Sequence, residues 1–377
     1  RMFFNDIIGQ KKIKEILIKT VNDNHISHAL LFLGQHGSGK LALAIAYAQY
    51  ISCTNKQPMD SCGECPSCRK YAKLIHPDLH FVFPVTTTED VKKDPKSDDF
   101  ISQWRQAVLS NPYMTLQQWY NALGVENKQG QIFGGESAEI LRKLTLKTYE
   151  SDYKIMIIWF PELMNHTAAN KLLKILEEPP VQTVFLLVSE STEDILPTIL
   201  SRTQIIRVPR IDDDSLREAL QARFSLDENQ LKETLHIAKG NVADALEHIK
   251  QSEDNNFNYE SFIFFMRLCF QRKIADVVSW IESLSKIGRE KQKGFLLYSL
   301  RFMRECFMMH LGQEQITAMA SAEYEFAKKF STFITTDNIF VIYEEINKAY
   351  NHVEMNANYK IVFFDLALKM MQLIKKK

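Results

Sequence analysis

The stretch "LLFLGQHGSGKLALA", Leu30 to Ala44, decides the fold. An apolar strand-like run leads into a glycine-rich turn, and an apolar helix follows, which is the context of a phosphate-binding loop. The residues that fit this loop are Gly34, Gly37, Gly39 and Lys40. The motif places Ser or Thr after the lysine, but here Leu41 follows. The stretch therefore predicts a phosphate-loop α/β fold and leaves open what the loop does.

Hydrolysis of a nucleotide needs groups that this sequence lacks. The loop Ser or Thr and an acid at the end of a second strand hold Mg²⁺, and a further group positions the attacking water. The second strand reads "KIMIIWFPELMN", with Trp159 and Phe160 at the positions of the expected acids and Glu162 only beyond Pro161. Losing one preorganised polar group typically costs ~10²–10³ in rate. The sequence predicts a loop that does not hydrolyse nucleotide, and it leaves open passive binding or a mere helix-start turn.

The chain up to about residue 208 alternates short apolar runs with amphipathic helices, as in a parallel α/β sheet. The clearest strands are Ala29–Leu33, Leu79–Phe83, Ile155–Trp159 and Thr183–Val188. Helices are predicted at Leu141–Tyr149 and Ala168–Glu178, the second ending at Pro179.

One segment, Thr86 to about Gly130, interrupts this alternation. A charged, loop-like stretch is followed by aromatic and aliphatic residues at helical spacing. We interpret it as an insertion carrying a helical hairpin. Its tryptophans, Trp104 and Trp119, are expected to pack it onto the sheet, although a partner-binding role stays open.

Four of the six cysteines crowd into one short segment and predict a metal site. Cys53, Cys62, Cys65 and Cys68 include two Cys-x-x-Cys pairs that share Cys65. Four thiolates at this spacing can converge on a tetrahedral zinc ion at ~2.3 Å, with no position left for a catalytic water. A structural zinc is the favoured interpretation, and a redox pair or an iron–sulfur cluster is the alternative.

Composition sets limits on the partners. Lys+Arg and Asp+Glu balance at 46 each, so no overall field attracts nucleic acid or a membrane, and a DNA contact would need a local patch. No apolar run approaches the ~18 residues that cross a bilayer. The N-terminal sequence has charges throughout and lacks a signal-peptide layout. We expect a cytoplasmic protein.

From Ile211 onward the pattern is helical. Short helices follow one another up to about residue 251, and the polar segment Ser252–Glu260 is interpreted as a linker. Helices are expected from there to the end, with an apolar stripe at helical spacing from Ile339 to Tyr350.

Taken together in this order, five segments resemble the bacterial clamp-loader subunits of the AAA+ class. They are "ISHALLFLGQHGSGKLALAIAYAQYISC", the four-cysteine segment, "HPDLHFVFPV", "HTAANKLLKILEEPP" and "ILPTILSRTQIIRVP". The resemblance runs from about residue 5 to 250. It implies an AAA+ P-loop-like domain at 1–208 with a zinc knuckle at 53–68. The insertion at 86–130 is longer than expected for the family, and no family property is transferred to it. A helical lid at 209–251 and an all-helical C-terminal oligomerisation (collar) domain at 252–377 complete the expected architecture.

The family has two branches that differ in their nucleotide sites. The motor branch, gamma/tau, has a complete phosphate loop and an Asp-Glu pair, whereas the delta-prime branch has the same body with an eroded site. This sequence is similar to the delta-prime branch. The second-sensor helix, where the motor has an arginine, aligns with "KGNVADALEHI" and has Ala243 at that position. A catalytically active gamma/tau-like ATPase is the alternative.

The family's Ser-Arg-Cys motif corresponds to Ser201, Arg202 and Thr203, with Thr replacing the usual Cys. In the delta-prime branch this arginine is a finger that enters the ATP site of a neighbouring motor subunit, where a guanidinium can be worth ~10³–10⁵ in rate. The resemblance therefore implies a trans-acting role for Arg202. The alternative is that Arg202 only caps carbonyls at the end of a short helix.

The resemblance also implies the partners: gamma/tau motor subunits and a delta subunit in a hetero-oligomer, with the sliding clamp and primed DNA in the assembled DNA polymerase III complex. Lys171 and Lys174 could approach DNA phosphates there or simply form a solvated helix face. His76, Pro77 and Asp78 are interpreted as a turn that leads into a strand.

Overall fold

The computed structural model describes residues 2–125, 129–145, 147–312 and 321–374. It divides into two compact units, Arg1–His248 and Ile249–Lys377. The division falls inside one helix, Val242–Gln271. The separate domains expected at 1–208 and 209–251 stay a prediction. In the described part of the chain, no helix is both long and apolar enough to span a bilayer.

Five parallel strands form the sheet of the first unit. They are β1 (Ala29–Leu33), β2 (Leu79–Val82), β3 (Lys154–Trp159), β4 (Thr183–Ser189) and β5 (Gln204–Arg207). The spatial order is β2-β3-β4-β1-β5, so β1 lies between β4 and the edge strand β5. The fold class predicted from the sequence, a phosphate-loop α/β domain followed by helices, is confirmed.

Helices cover both faces of this sheet and continue into the second unit. The helices before the division are α1 (Lys11–Asn22), α2 (Lys40–Ser52), α3 (Pro66–Tyr71), α4 (Ile101–Ser110), α5 (Leu116–Ala122), α6 (Gly134–Thr145), α7 (His166–Glu177), α8 (Pro197–Leu200), α9 (Asp213–Arg223) and α10 (Glu228–Ala238). Those that follow are α11 (Val242–Gln271), α12 (Ile274–Ser283), α13 (Gly288–His310), α14 (Ser321–Phe330), α15 (Ile339–Glu354) and α16 (Tyr359–Leu373). Short 3₁₀ helices lie at Phe4–Asp6, Ser97–Phe100, Pro161–Leu163, Leu284–Lys286 and Ser331–Phe333.

Strand side chains alternate between two apolar layers, as the period of two requires. Leu30 and Phe32 pack in the layer that contains α2, whereas Ala29 and Leu31 pack with α6 and α7. Every residue of α2 is buried, which makes it the central helix of the unit. The start of α2 is thereby fixed against the carboxyl end of β1, where the phosphate loop lies.

The insertion carries the predicted hairpin, α4 and α5, and its tryptophans are fully buried. The Trp104 ring stacks on Phe83 with centroids 4.2 Å apart and lies 5.0 Å from the Trp159 ring of β3. The Trp119 indole donates to the Pro84 carbonyl at 2.8 Å. The tryptophans therefore pack the hairpin onto the sheet, as expected. Residues 126–128 of the insertion lie outside the described residues.

Two sequence interpretations are wrong. The polar segment Ser252–Glu260 is not a linker but the middle of α11. It contains neither Gly nor Pro, and the buried residues Phe262 and Phe265 that follow continue the helical spacing. The helix expected at Leu141–Tyr149 instead ends at Thr145 (α6), and the Tyr149 N–H is donated to the Asp78 carboxylate at 2.7 Å.

Candidate functional site

The phosphate loop, Gly34–Lys40, connects β1 to α2 and is closed by the start of α11. Gly37 has φ +68° and Gly39 has φ +89°, conformations that favour glycine. The Val242 N–H donates to the Gly37 carbonyl at 3.1 Å. A Cβ on Gly37 would lie 1.7 Å from Asn241 Oδ1. The backbone of the loop thus packs directly against the α11 N-terminus.

The loop lysine points into the protein. Lys40 is only 6% exposed, and its Nζ donates to the Gln35 carbonyl at 2.6 Å and lies 4.0 Å from Glu190 Oε1. Burial lowers the pKa of Lys40 to about 8, although Glu190 and Glu162 act in the opposite direction. In an active loop this lysine would contact a phosphate. Here its ammonium group faces the Gln35 carbonyl and Glu190 instead.

A residue of the insertion covers another part of the loop. The Tyr113 hydroxyl accepts the Ile8 N–H at 3.0 Å, and its ring lies 3.1 Å from the position of a Cβ on Gly39. Burial raises the pKa of Tyr113. The sequence reasoning missed Tyr113, Asn241 and Glu190. Their contacts with the loop come from distant segments and leave no local motif.

The positions at which acids would hold Mg²⁺ are apolar and packed. Leu41, Trp159 and Phe160 are all buried, and the last two rings contact each other at 4.6 Å. Glu162 lies in the 3₁₀ helix after β3, and its Oε1 accepts the Glu190 N–H at 3.0 Å. Burial raises the pKa of Glu162. The Glu162 carboxylate therefore stabilises the turn after β4.

The residue at the second-sensor position, Ala243, supplies no positive charge to the loop. Ala243 is buried in the first turn of α11. The neighbouring Asp244 has its Oδ1 3.1 Å from Nε2 of His36, a residue of the loop. This contact is a second link between the loop and α11.

Arg202 follows α8 and is about one third exposed. Its Nη1 donates to the Thr198 carbonyl at 2.9 Å and to Ser201 Oγ at 3.2 Å, while its Nη2 lies 2.8 Å from Glu177 Oε1. Within this chain Arg202 therefore caps a carbonyl of α8, and the same contacts hold its guanidinium at the surface.

The four knuckle cysteines converge. Their Sγ atoms all lie within 4.8 Å of one another. The Cys53–Cys62 sulfur distance is 3.6 Å and the Cys62–Cys68 distance is 4.0 Å. A tetrahedral ion with 2.3 Å bonds to sulfur requires about 3.8 Å between its ligands. The four residues could therefore hold a metal ion, as the spacing predicts.

Backbone N–H groups of the knuckle point at the sulfurs. Cys62 donates to Cys53 Sγ at 3.4 Å, Cys65 to Cys62 Sγ at 3.3 Å and Cys68 to Cys65 Sγ at 3.4 Å. Burial alone would raise the pKa of Cys65, but hydrogen bonds from Cys68 and Thr54 lower it to about 6. Burial raises the pKa of Cys53 and of Cys68.

The knuckle also anchors the N-terminal segment. Asp60 accepts the N–H groups of Phe4 and Asn5 at 3.2 and 2.9 Å. Gly63 has φ +76°, and a Cβ there would lie 2.6 Å from the Phe3 ring. Folding of the knuckle is thus coupled to the segment that leads to α1.

The remaining sequence candidates have structural or solvent contacts. The Leu79 N–H donates to the His76 carbonyl at 3.1 Å, which confirms the turn before β2. Asp78 in this turn accepts three backbone N–H groups, from Tyr149, Glu150 and Ser151 at 2.7–2.9 Å. Lys171 and Lys174 are exposed on α7.

Comparisons with known proteins point to one family. Residues 9–212, more than half of the chain, match the family model described as "DNA polymerase III, delta subunit". The chain is 26% identical over 211 residues to DNA polymerase III subunit delta' of Bacillus subtilis (strain 168), covering 56% of this chain and 51% of that protein. It is 30% identical over 178 residues to subunit delta' of Pseudomonas aeruginosa, covering 47% and 41%.

A tau subunit is also similar. The chain is 21% identical over 389 residues to DNA polymerase III subunit tau of Bacillus subtilis (strain 168), covering 97% of this chain and 60% of that protein. The chain spans about half the length of the curated relatives that it matches.

Proposed function

Because the chain belongs to the family of DNA polymerase III delta' clamp-loader subunits, we propose that it is a non-hydrolysing subunit that completes the ATP site of a neighbouring motor subunit. The partners are gamma/tau motor subunits and a delta subunit, and the assembled loader places a sliding clamp on primed DNA. Arg202 supplies the guanidinium, and the chain's own loop is catalytically silent.

The inward orientation of Lys40 is the observation that carries this proposal. Its Nζ donates to a carbonyl of its own loop and faces Glu190. Phosphates bound by Lys40 would have to replace these contacts. With no carboxylate at the end of β3, among the described residues, to bind Mg²⁺, such a loop would lack the means of activating water.

Arg202 has the exposure that a trans-acting role needs. Its pair with Glu177 is solvent-exposed on both sides, and pairs of this kind are worth about 0–1 kcal/mol. Exchanging Glu177 for a γ-phosphate would therefore cost little. Ser201 accepts from the same guanidinium, so we assign it a positioning role.

A structural zinc in the knuckle is part of the same proposal. All four ligands are thiols, which favours Zn²⁺ and leaves no position for a bound water. The ion would stabilise the knuckle and, through Asp60, the N-terminal segment.

The test is reconstitution of the loader with motor and delta subunits. With Arg202→Ala, hydrolysis at the adjacent site should fall by ~10³–10⁵, so the loader loses that site's share of its ATPase. Arg217→Ala is the matched control, because Arg217 is also a third exposed and paired with a glutamate, Glu228. Full ATPase in an assembled Arg202→Ala loader would refute the proposal.

An active gamma/tau-like ATPase is the second candidate. It is favoured by the alignment with subunit tau, which extends over 97% of this chain. It requires the chain to hydrolyse ATP without any other subunit.

A further inference from the structure

A groove beside the phosphate loop is not used by the proposed function. It is a cavity of about 840 Å³ in the first unit. One wall is the first turn of α1, the other runs from the last residue of β5 over residues 207–210, and the base is formed by the end of β1 and the start of the loop. We call it the cationic groove.

Four basic side chains line the cationic groove: Lys11, Lys12, Arg207 and Arg210. All four are exposed, and none forms an ion pair with a carboxylate in the part of the chain that the structure describes. The chain as a whole has no net charge, so this concentration is local. Unpaired cations facing one cavity produce a positive potential that attracts anions.

The acids that line the groove are fewer than its cations, because one carboxylate faces four basic side chains. Asp212 is the one acid among the lining residues, and its carboxylate caps α9 by accepting the Ser215 N–H and hydroxyl, both at 2.8 Å. Asp213 and Asp214 in the first turn of α9, and Glu15 of α1, are outside the lining.

Two hydrogen-bonded links hold the walls in place. Buried Gln10 donates through Nε2 to the Ser38 carbonyl at 3.1 Å and to the Pro209 carbonyl at 2.7 Å, which joins the α1 wall, the phosphate loop and the second wall. Arg210 Nε donates to Gln35 Oε1 at 3.1 Å. The cations therefore project from a preorganised frame, and binding would require little reordering of the backbone.

Helix stability does not explain the two lysines. Lys11 and Lys12 occupy the first turn of α1, where the helix dipole disfavours a positive charge by roughly 0.3–1 kcal/mol. A ligand that carries several negative charges would reverse this penalty.

We propose that the cationic groove binds the phosphodiester backbone of a nucleic acid. The identification of the ligand as a nucleic acid rests on the proposed function. The cluster of cations is observed independently of that function. The groove is open, its cations lie on two walls, and none of its lining residues is aromatic. Such a surface contacts phosphates and does not read bases, so binding is independent of sequence and weakens steeply with salt.

The experiment is fluorescence anisotropy of a labelled oligonucleotide, single-stranded or primed, with the full chain alone. Between about 50 and 200 mM salt, the slope of log affinity against log salt counts the phosphate contacts. Arg207→Gln with Arg210→Gln should weaken binding about tenfold and reduce the slope by about 2, since each lost contact removes about 1. Lys11→Gln with Lys12→Gln should act alike.

The control is Lys92→Gln with Lys93→Gln, which removes two exposed charges from the insertion and should change the affinity less than about twofold. Circular dichroism melting would establish that each variant is folded. An equal loss in the control, no binding by the unaltered chain, or displacement by free tripolyphosphate at equal phosphate concentration would each overturn the proposal. Neither ATP nor a partner subunit is present, so the outcome is independent of the Arg202 test.

Discussion

Lys40 lies in a loop with the glycines of a phosphate loop, but its ammonium group points into the protein. The glycines around it keep the conformation of a phosphate loop, but its ammonium group is buried against the Gln35 carbonyl. A buried cation is costly unless it has acceptors. Here the Gln35 carbonyl accepts from the Lys40 ammonium group, and Glu190 Oε1 lies 4.0 Å from it.

The lowered pKa of Lys40 makes a pH-dependent prediction. At pH 8–10 the unfolded chain keeps this proton, while the folded chain, with its pKa at about 8, releases it. The unfolded state then binds more protons, so the free energy of unfolding rises with pH across this range. In urea denaturation, the free energy of unfolding of the native chain should rise relative to that of Lys40→Met by up to about 3 kcal/mol from pH 7 to 10. A constant difference would mean that the folded pKa is ordinary.

The residues of this site differ in how far sequence could identify them. The four cysteine ligands lie within a single short segment, so their spacing was enough. Tyr113, Asn241 and Glu190 reach the loop from the insertion, from α11 and from the end of β4. Only tertiary packing brings them to Gly37, Gly39 and Lys40, and no local pattern encodes it.

Among the elements, those with a strong local pattern were predictable. The four apolar strands are predicted from continuous apolar runs, and the insertion hairpin from helical spacing. β5 was not among them, because it is an edge strand whose residues, apart from Ile206, are exposed. The middle of α11 was misread because polarity alone does not end a helix when Gly and Pro are absent.

The knuckle is the element whose stability should depend on a ligand. Cys65→Ser should abolish zinc binding and lower the Tm of the first unit by on the order of 5 °C, since metal binding contributes to folding. Cys269→Ala is the control, because Cys269 is a lone buried thiol of the second unit and should leave one zinc per chain. Metal analysis and thermal unfolding measure both. Native protein that contains no zinc, or the absorption of an iron–sulfur cluster, would contradict the assignment.

At the scale of the whole molecule, charge is arranged locally. Within a chain of zero net charge, four cations line one groove, and a surface arginine is paired with Glu177. Both features are exposed, whereas the lysine of the phosphate loop is buried and the loop packs against the α11 N-terminus.

The chain alone should leave ATP intact. Three polar groups needed for hydrolysis are absent at Leu41, Trp159 and Phe160, and each preorganised group is typically worth ~10²–10³ in rate. Phosphate release by the purified chain should therefore equal the buffer background, and Lys40→Ala should not change it. A gamma/tau-like ATPase predicts the opposite: turnover that follows the chain through purification and disappears with Lys40→Ala. Adding motor and delta subunits to the same preparation controls for inactive protein, because an ATPase component that depends on Arg202 should then appear.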